Sequence, residues 1–83
     1  MNMNNDNYLE TNDIALATVI CYFGGEIEKI DKTDPSRAKF ILKRSAFLDQ
    51  VVRDFWSHSL QVEPSAFLNN LKEIKSRLYQ KVG

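Results

Sequence analysis

The first apolar segment of the chain predicts a central helix. Residues 14 to 23 are apolar almost throughout, with Thr18 as the single polar interruption, and Gly24-Gly25 ends the segment. Thr11-Asn12-Asp13 stands in front of it and supplies side chains of the kind that cap a helix. A helix that is apolar on most of its faces must be covered on more than one side. We therefore expect this helix at the centre of the core.

Two further helices show an apolar stripe on one face. Ser45 is the predicted cap of the second helix, whose stripe comprises Phe47, Leu48, Val51, Val52, Phe55 and Trp56. Glu63-Pro64 predicts the start of the third helix, because proline is favoured at the first helical position. The stripe of this helix comprises Phe67, Leu68, Leu71, Ile74, Leu78 and Tyr79.

A β-hairpin is predicted between the first and second helices. Segments 26–32 and 37–44 flank Thr33-Asp34-Pro35-Ser36, in which proline fixes φ and the polar side chains can accept hydrogen bonds from the following amides. Phe40 and Leu42 share one face of the second strand, as the two-residue period of a half-buried strand requires.

Two features of the strands stay open. Ile27 and Ile30 fall on opposite faces of the first strand unless a bulge or a twist intervenes. Leu60 and Val62 alternate in segment 57–62, which adds a short third strand or clamps an edge of the sheet. The order is thus helix, hairpin, helix, optional short strand, helix. It predicts an α+β fold in which helices pack on one face of a small antiparallel sheet.

Length and composition indicate a single folded domain. The chain has 83 residues, of which 43% are hydrophobic and 27% charged, as in ordinary globular proteins. Residues 1–10 are expected to form a polar disordered tail and residues 11–83 the domain, because residues 1 to 7 include four Asn and one Asp. No apolar segment is long enough to span a membrane. Cys21 is the single cysteine, so we expect a reducing, cytoplasmic location.

The charges are unevenly distributed although the net charge is zero. Residues 1–28 hold five acids and no base, whereas residues 29–44 hold six bases and two acids. Residues 45–63 are again acidic, with three acids and one base, and residues 64–83 are basic, with four bases and one acid. The pattern predicts a dipolar molecule, and it fits docking or self-pairing through complementary patches at least as well as binding of a polyanion.

Residues with catalytic or metal-binding chemistry are few and isolated. His58 lies between Ser57 and Ser59, but neighbouring loop residues point apart and no third group or oxyanion hole has a sequence signature. It is the only histidine and Cys21 the only cysteine, so we expect no metal and no cofactor. Glu26 and Glu28 share a strand face, where pairing with Lys39 or Lys43 is expected rather than acid catalysis. The sequence thus predicts a protein that is not an enzyme.

Two surfaces are candidates for binding. The second helix offers two apolar columns, of which one is expected to remain exposed as a protein interface: Leu48, Val52 and Trp56, or Phe47, Val51 and Phe55. A basic surface on the second strand is the candidate for nucleic acid and comprises Arg37, Lys39, Lys43 and Arg44. The last helix adds further bases, which are Lys72, Lys75, Arg77 and Lys81.

Capping, turn and core positions together resemble a known family. The positions are Thr11, Asp13-Ile14, Leu16-Ala17, Gly24, Pro35, Phe40, Leu42, Val62, Phe67, Leu71-Lys72 and Leu78-Tyr79. They resemble a family of small bacterial and phage-borne domains of unknown function, over residues 11 to about 79. The resemblance implies the fold and transfers no catalytic residue, and the asparagine-rich tail lies outside it.

These patterns favour one functional hypothesis over another. The first is a non-enzymatic protein-interaction module, with a homodimer as one form of it, in a bacterial or phage context. The alternative is a small nucleic-acid-binding or regulatory protein that uses the basic strand and the last helix. Neither involves a membrane or a metal, and the partner in the first is an unidentified protein or a second copy.

Overall fold

The computed structural model describes residues 7–34 and 36–80 and orders them into three strands and three helices. They are β1 (Tyr8–Thr11), α1 (Ile14–Tyr22), β2 (Ile27–Asp31), β3 (Lys39–Lys43), α2 (Ala46–Trp56) and α3 (Pro64–Leu78). The strands form one antiparallel sheet in the order β1-β3-β2. The predicted α+β fold is thereby confirmed. Pro35 of the predicted turn and Lys81 of the predicted basic residues lie outside the described residues.

The third strand of the sheet comes from the N-terminal segment. β1 pairs antiparallel with β3, with Leu9 opposite Leu42, and the amide of Arg44 donates a hydrogen bond of 2.8 Å to the carbonyl of Asn7. The expected disordered tail is therefore wrong for residues 8–10, while residues 1–6 lie outside the described part of the chain. Leu9 is 1% exposed, so this short strand fills a place in the core.

Segment 57–62 does not form the optional strand. Residues 57–59 complete the C-terminal turn of α2, and Leu60 packs against the core from an irregular connector. The connector is fastened at its far end, where the amide of Glu63 donates a hydrogen bond of 2.9 Å to the hydroxyl of Tyr22. The apolar side chain of Leu60 thus covers the core without backbone pairing.

A β-bulge resolves the ambiguity of the first hairpin strand. The pairing of β2 with β3 shifts register between Ile27 and Lys29, so Ile27 lies opposite Leu42 and Ile30 lies opposite Phe40. A single extra residue reverses the face on which all later side chains of a strand point. Both isoleucines therefore reach the core face of the sheet.

Helix α1 lies at the centre of the fold, as its apolar sequence predicts. Residues 16 to 20 are all buried, with exposures of 0 to 6%, and the helix contacts β1, β3, α2 and α3. The hydroxyl of Thr18, which is fully buried, donates a hydrogen bond of 2.7 Å to the carbonyl of Ile14, so this polar group keeps a partner. The helix ends at Gly24-Gly25, where Gly24 has φ +100° and a Cβ on Gly25 would collide with the Ile20 side chain.

Each helix has an N-terminal cap where the sequence predicts its start, and the capping role of the Glu63 side chain is an addition to that prediction. Asp13 Oδ1 accepts hydrogen bonds from the amides of Ala15 (2.9 Å) and Leu16 (3.2 Å), and Ser45 Oγ accepts one from Leu48 (3.0 Å). The carboxylate of Glu63 accepts from the amides of Ser65 (3.0 Å) and Ala66 (2.9 Å), with Pro64 at the first helical position. Each cap satisfies amides that have no partner inside their helix.

Helix α3 is only shallowly embedded. Ile74 is its one buried residue among those the structure describes, at 3% exposure, and the other residues of the stripe are half-buried or exposed. Leu68 is 51% exposed and Tyr79, which caps the C-terminal end, is 72% exposed. The predicted stripe is therefore wider than the surface that the core covers.

The burial of Phe40 predicts a large cost for its removal. Phe40 is 2% exposed on the core face of β3, so Phe40→Ala should lower the free energy of unfolding by about 3–5 kcal/mol through reduced burial and the cavity left behind. Phe47→Ala makes the same chemical change at a side chain that is 48% exposed and should cost about 1 kcal/mol or less. Urea denaturation of both variants measures the difference, and equal losses would show that the core is placed wrongly.

The cap of α3 predicts a pH dependence of stability. The backbone hydrogen bonds from Ser65 and Ala66 lower the pKa of Glu63 below its ordinary value of 4.5. A carboxyl with a lower pKa in the folded chain stabilises the fold fully above its unfolded pKa, and the stabilisation is lost as the pH falls through the folded pKa. Glu63→Gln should therefore lower stability at pH 7 and flatten its fall between about pH 5 and 3. Denaturant titrations at several pH values measure the free energy of unfolding of both proteins. If the wild type and Glu63→Gln differ by the same amount at every pH in this range, the assignment is contradicted.

Candidate binding surfaces

The apolar stripe of α2 is buried along its middle and exposed at both edges. Leu48, Val51 and Val52 are 2 to 8% exposed, whereas Phe47 is 48% and Trp56 is 54% exposed. Phe47 and Trp56 are nine residues apart, which at about 100° per residue places them on opposite edges of the stripe. Neither predicted column is exposed as a unit. Of the candidate interface residues Leu48, Val52 and Trp56, only Trp56 has an exposed side chain.

The ring of Trp56 contacts that of its neighbour Phe55. Its ring lies 5.0 Å from that of Phe55 at an interplanar angle of 88°, which is the edge-to-face arrangement that aromatic pairs prefer. Phe55 is half-buried and packs against the core. We call this pair the Trp56 surface. It is an exposed, oriented aromatic side chain at the C-terminal end of α2.

The outer face of the sheet mixes charges of both signs. Lys39 and Lys43 are exposed there as predicted, but the register places Asp31 opposite Lys39 and Tyr8 opposite Lys43. The expected pairing of these lysines with Glu26 or Glu28 is wrong, because Glu26 precedes β2 and Glu28 lies at the bulge. The face therefore has no continuous row of positive charge.

Arg44 is engaged in an ion pair. Its Nε and its terminal NH2 group donate to the two carboxylate oxygens of Asp49, at 3.3 and 3.2 Å. In this bidentate geometry two N–H donors of the guanidinium are already hydrogen-bonded within the fold. Of the candidate nucleic-acid contacts Arg37, Lys39, Lys43 and Arg44, the last is therefore already occupied.

The two basic regions of the sequence meet at the C-terminal end of α3. Lys32, which follows β2, donates hydrogen bonds from Nζ to the carbonyls of Arg77 (3.2 Å) and Gln80 (3.1 Å), where the helix dipole favours a cation. Beside it, the start of α1, segment 36–40 and the end of α3 surround a groove of about 310 Å³. We call this the α3-end groove. Arg37 and Lys75, which are far apart in sequence, both line it.

An exposed row along α3 leads into this groove. Leu68, Lys72, Lys75 and Tyr79 follow one another at spacings of four, three and four, so they share one side of the helix, and all four are exposed. Arg77 lies on another side, beside a second groove of about 320 Å³ that it lines with Ile30, Lys32 and Gln80.

His58 has a backbone role at the end of α2. It has φ +60°, its amide donates to the carbonyl of Phe55 (3.2 Å), and the amide of Ser59 donates to that of Asp54 (3.0 Å). These two bonds form a Schellman motif with His58 at the left-handed position. The hydroxyl oxygens of Ser57 and Ser59 lie 2.8 Å apart, and each is within 3.3 Å of the carbonyl of Asp54, so one hydroxyl donates to the other, which donates to the carbonyl.

Cys21 lies on α1, half-buried against the core. Burial raises the pKa of its thiol above the ordinary value of 9.0. A thiol with a raised pKa is mostly protonated near neutral pH and is a poor nucleophile.

Metal-binding clusters and membrane-spanning helices are both missing from residues 7–34 and 36–80. No three His, Cys, Asp or Glu side chains there are grouped so that they could hold a metal ion. None of the helices in these ranges has the length and apolar character needed to cross a bilayer.

Residues 6–80 match the model of a protein family described as a domain of unknown function, DUF5659. The chain belongs to this family. The match confirms the resemblance to a family of domains of unknown function and begins ahead of Thr11, so the family's domain includes β1. No curated protein and no solved structure matches the chain.

Sequence reasoning missed two contributions to these surfaces. Tyr8 belongs to the outer face of the sheet, and the alternation of Tyr8 and Glu10 with Leu9 and Thr11 was a usable strand signal. Asn12 lines the α3-end groove, and no local pattern could place it beside Lys75. The sequence of segment 11–13 predicts helix capping alone, and Asn12 is therefore not expected to be part of a groove.

The left-handed backbone of His58 predicts a stabilising substitution. A side chain at this conformation costs about 1–2 kcal/mol, which glycine avoids while losing about 0.5–1 kcal/mol in chain entropy. His58→Gly should therefore raise the free energy of unfolding by about 0.5–1 kcal/mol. Ser57→Gly is the matched control at φ −87° and should lower it. Thermal and denaturant unfolding measure both, and destabilisation by His58→Gly would show that the imidazole makes a stabilising contact.

Proposed function

We propose that this domain is a non-enzymatic protein-interaction module that binds its partner through the Trp56 surface. The observation that supports this most is the 54% exposure of Trp56 together with its edge-to-face contact with Phe55. Tryptophan is enriched among the residues that dominate binding energy at protein interfaces.

The partner in this proposal is a protein, and a second copy of the chain is one such partner. Phe47 is also exposed, but on the opposite edge of the α2 stripe, so one flat partner surface cannot cover both aromatic side chains through this helix alone. The interface is therefore centred on Trp56. We further propose a reducing, cytoplasmic compartment, which the single cysteine supports.

The absence of catalysis is also part of the proposal. The hydroxyls of Ser57 and Ser59 are bonded to one another and to a backbone carbonyl, which speaks against a nucleophile activated by His58. Asp54, the nearest acid in the sequence, accepts a hydrogen bond of 2.9 Å from the Gln50 amide. These contacts support a structural role for the turn.

The test is the substitution Trp56→Lys in a binding assay. Loss of an aromatic anchor should weaken self-association or partner binding by about 30-fold or more, corresponding to about 2 kcal/mol, while circular dichroism stays unchanged. Sedimentation velocity up to millimolar concentration measures self-association, and affinity capture from the native host measures binding to other proteins. Phe47→Lys is the matched control, because it places the same charge on an equally exposed aromatic position.

Three outcomes bear on the proposal. A dimer or a captured partner that is lost with Trp56→Lys and kept with Phe47→Lys would support it. Equal effects of the two substitutions would show that general surface hydrophobicity is responsible and not the Trp56 surface. A wild-type protein that stays monomeric and retains no partner would remove the proposed function.

A further inference from the structure

The α3-end groove combines an apolar floor with a polar, exposed rim. Phe40 is buried and Ile14 and Leu78 are half-buried, while Arg37, Lys75 and Tyr79 are exposed around them. Its volume of about 310 Å³ lies at the lower limit of small-ligand sites. The groove is therefore a shallow feature of the surface with room for about one compact chemical unit, such as a nucleotide.

The positive charge of the rim has no ion-pair partner within the described chain. Arg44–Asp49 is the one salt bridge between residues of the ranges 7–34 and 36–80, so Arg37 and Lys75 each lack a carboxylate within 4.0 Å there. Of the acids that neighbour the groove residues in sequence, Glu73 is exposed on α3, whereas Asp13 and Asp34 have other hydrogen bonds. Asp13 accepts from two amides of α1, and Asp34 accepts from the amide and hydroxyl of Ser36. The guanidinium of Arg37 and the ammonium of Lys75 are therefore exposed and not held in an ion pair with a described residue, so both are accessible to an anion.

Asp34 reports the electrostatics of this site. Its pKa is lowered first by the hydrogen bonds from Ser36 and then by the positive charges of Arg37 and Lys39. The hydrogen bonds hold this carboxylate in the hairpin turn, close enough to Arg37 for the two charges to interact.

Tyr79 adds a stacking surface beside these cations. It is 72% exposed, the highest value among the large apolar side chains of the described chain, and it follows Lys75 by one helical turn. Cations that follow a backbone, beside an aromatic ring that receives an unpaired base, are the combination used by proteins that bind single strands. Lys72, one turn before Lys75 on the same side of α3, extends the row of positive charge.

We propose that the α3-end groove binds single-stranded nucleic acid, with a phosphate between Arg37 and Lys75 and a base stacked on Tyr79. Bases within a duplex are paired and stacked, so the exposed ring favours a single strand over a double strand. This site differs in position from the strand-face surface of Lys39 and Lys43, where acidic and aromatic residues interrupt the basic row. It is also separate from the Trp56 surface.

The experiment measures fluorescence anisotropy of a labelled oligothymidylate of about 12 nucleotides with the full chain, at about 50 and 200 mM salt. The double variant Arg37→Glu, Lys75→Glu should weaken binding at least tenfold and reduce the salt slope by about 0.7 for each phosphate that the protein no longer neutralises. Tyr79→Ala should weaken binding by about tenfold with the salt slope unchanged, and Tyr79→Phe should bind as the wild type does. Circular dichroism checks that each variant is folded.

Two controls locate the site. Lys39→Glu, Lys43→Glu makes the same change of charge on the outer face of the sheet and should reduce affinity by less than threefold. Phe47→Ala, at an exposed aromatic residue outside both proposed sites, should leave oligonucleotide binding unchanged. The association assay with Trp56→Lys uses no oligonucleotide, so failure of the protein-interaction proposal and failure of this one are separable.

Several results would overturn the inference. Loss of binding with the Lys39, Lys43 variant and not with the Arg37, Lys75 variant would move the site to the sheet. Equal binding of a base-free sugar-phosphate strand, together with no effect of Tyr79→Ala, would exclude stacking. Binding of a phosphoserine peptide in place of the oligonucleotide would reassign the groove to a protein ligand, and no binding of the oligonucleotide at low salt would reject the site.

Discussion

The enclosure of α1 is the constraint on which the rest of this structure depends. A helix of nine residues is too short to be stable in water by itself, so its stability comes from the surfaces packed around it. Residues 16 to 20 are buried on every side, and β1, β3, α2 and α3 all contact the helix. The glycine pair at its end lets the chain reverse and enter β2, with Gly24 in a conformation that other residues rarely adopt.

The surfaces available for binding are the parts of α2, α3 and the sheet that are not used to cover α1. α2 uses the centre of its stripe for the core and leaves Phe47 and Trp56 at the edges, while α3 embeds Ile74 and leaves Leu68 and Tyr79 exposed. The charge order of α3 matches its dipole, with Glu63 at the N-terminal end and basic residues in the last turn. Because the hairpin packs Lys32 onto that last turn, two basic regions of the sequence become neighbours. The protein-binding and nucleic-acid proposals thus concern different sides of the same small core.

Features that depend on neighbouring residues, such as helices and their caps, can be predicted from the sequence. Features that depend on pairing between distant segments cannot. Helix α1 and the caps Asp13, Ser45 and Glu63 are readable because each depends on residues within one turn. β1 is missed because four alternating residues beside an asparagine-rich segment become a strand only through pairing with β3, which lies some thirty residues away. The exposed edges of α2 and the meeting of Arg37 with Lys75 are likewise set by the width of the core and by tertiary packing. No spacing in the sequence encodes either.

Hydrogen exchange of the α1 amides tests the central claim most directly. If the other elements depend on an enclosed α1, the amides of residues 17 to 20 should exchange only through global unfolding. Their exchange free energies should then equal the free energy of unfolding from denaturant titration, and amides near the C-terminal end of α3 should exchange by local opening at lower cost. Exchange of the α1 amides well below the global value, with β3 or α2 better protected, would contradict the account.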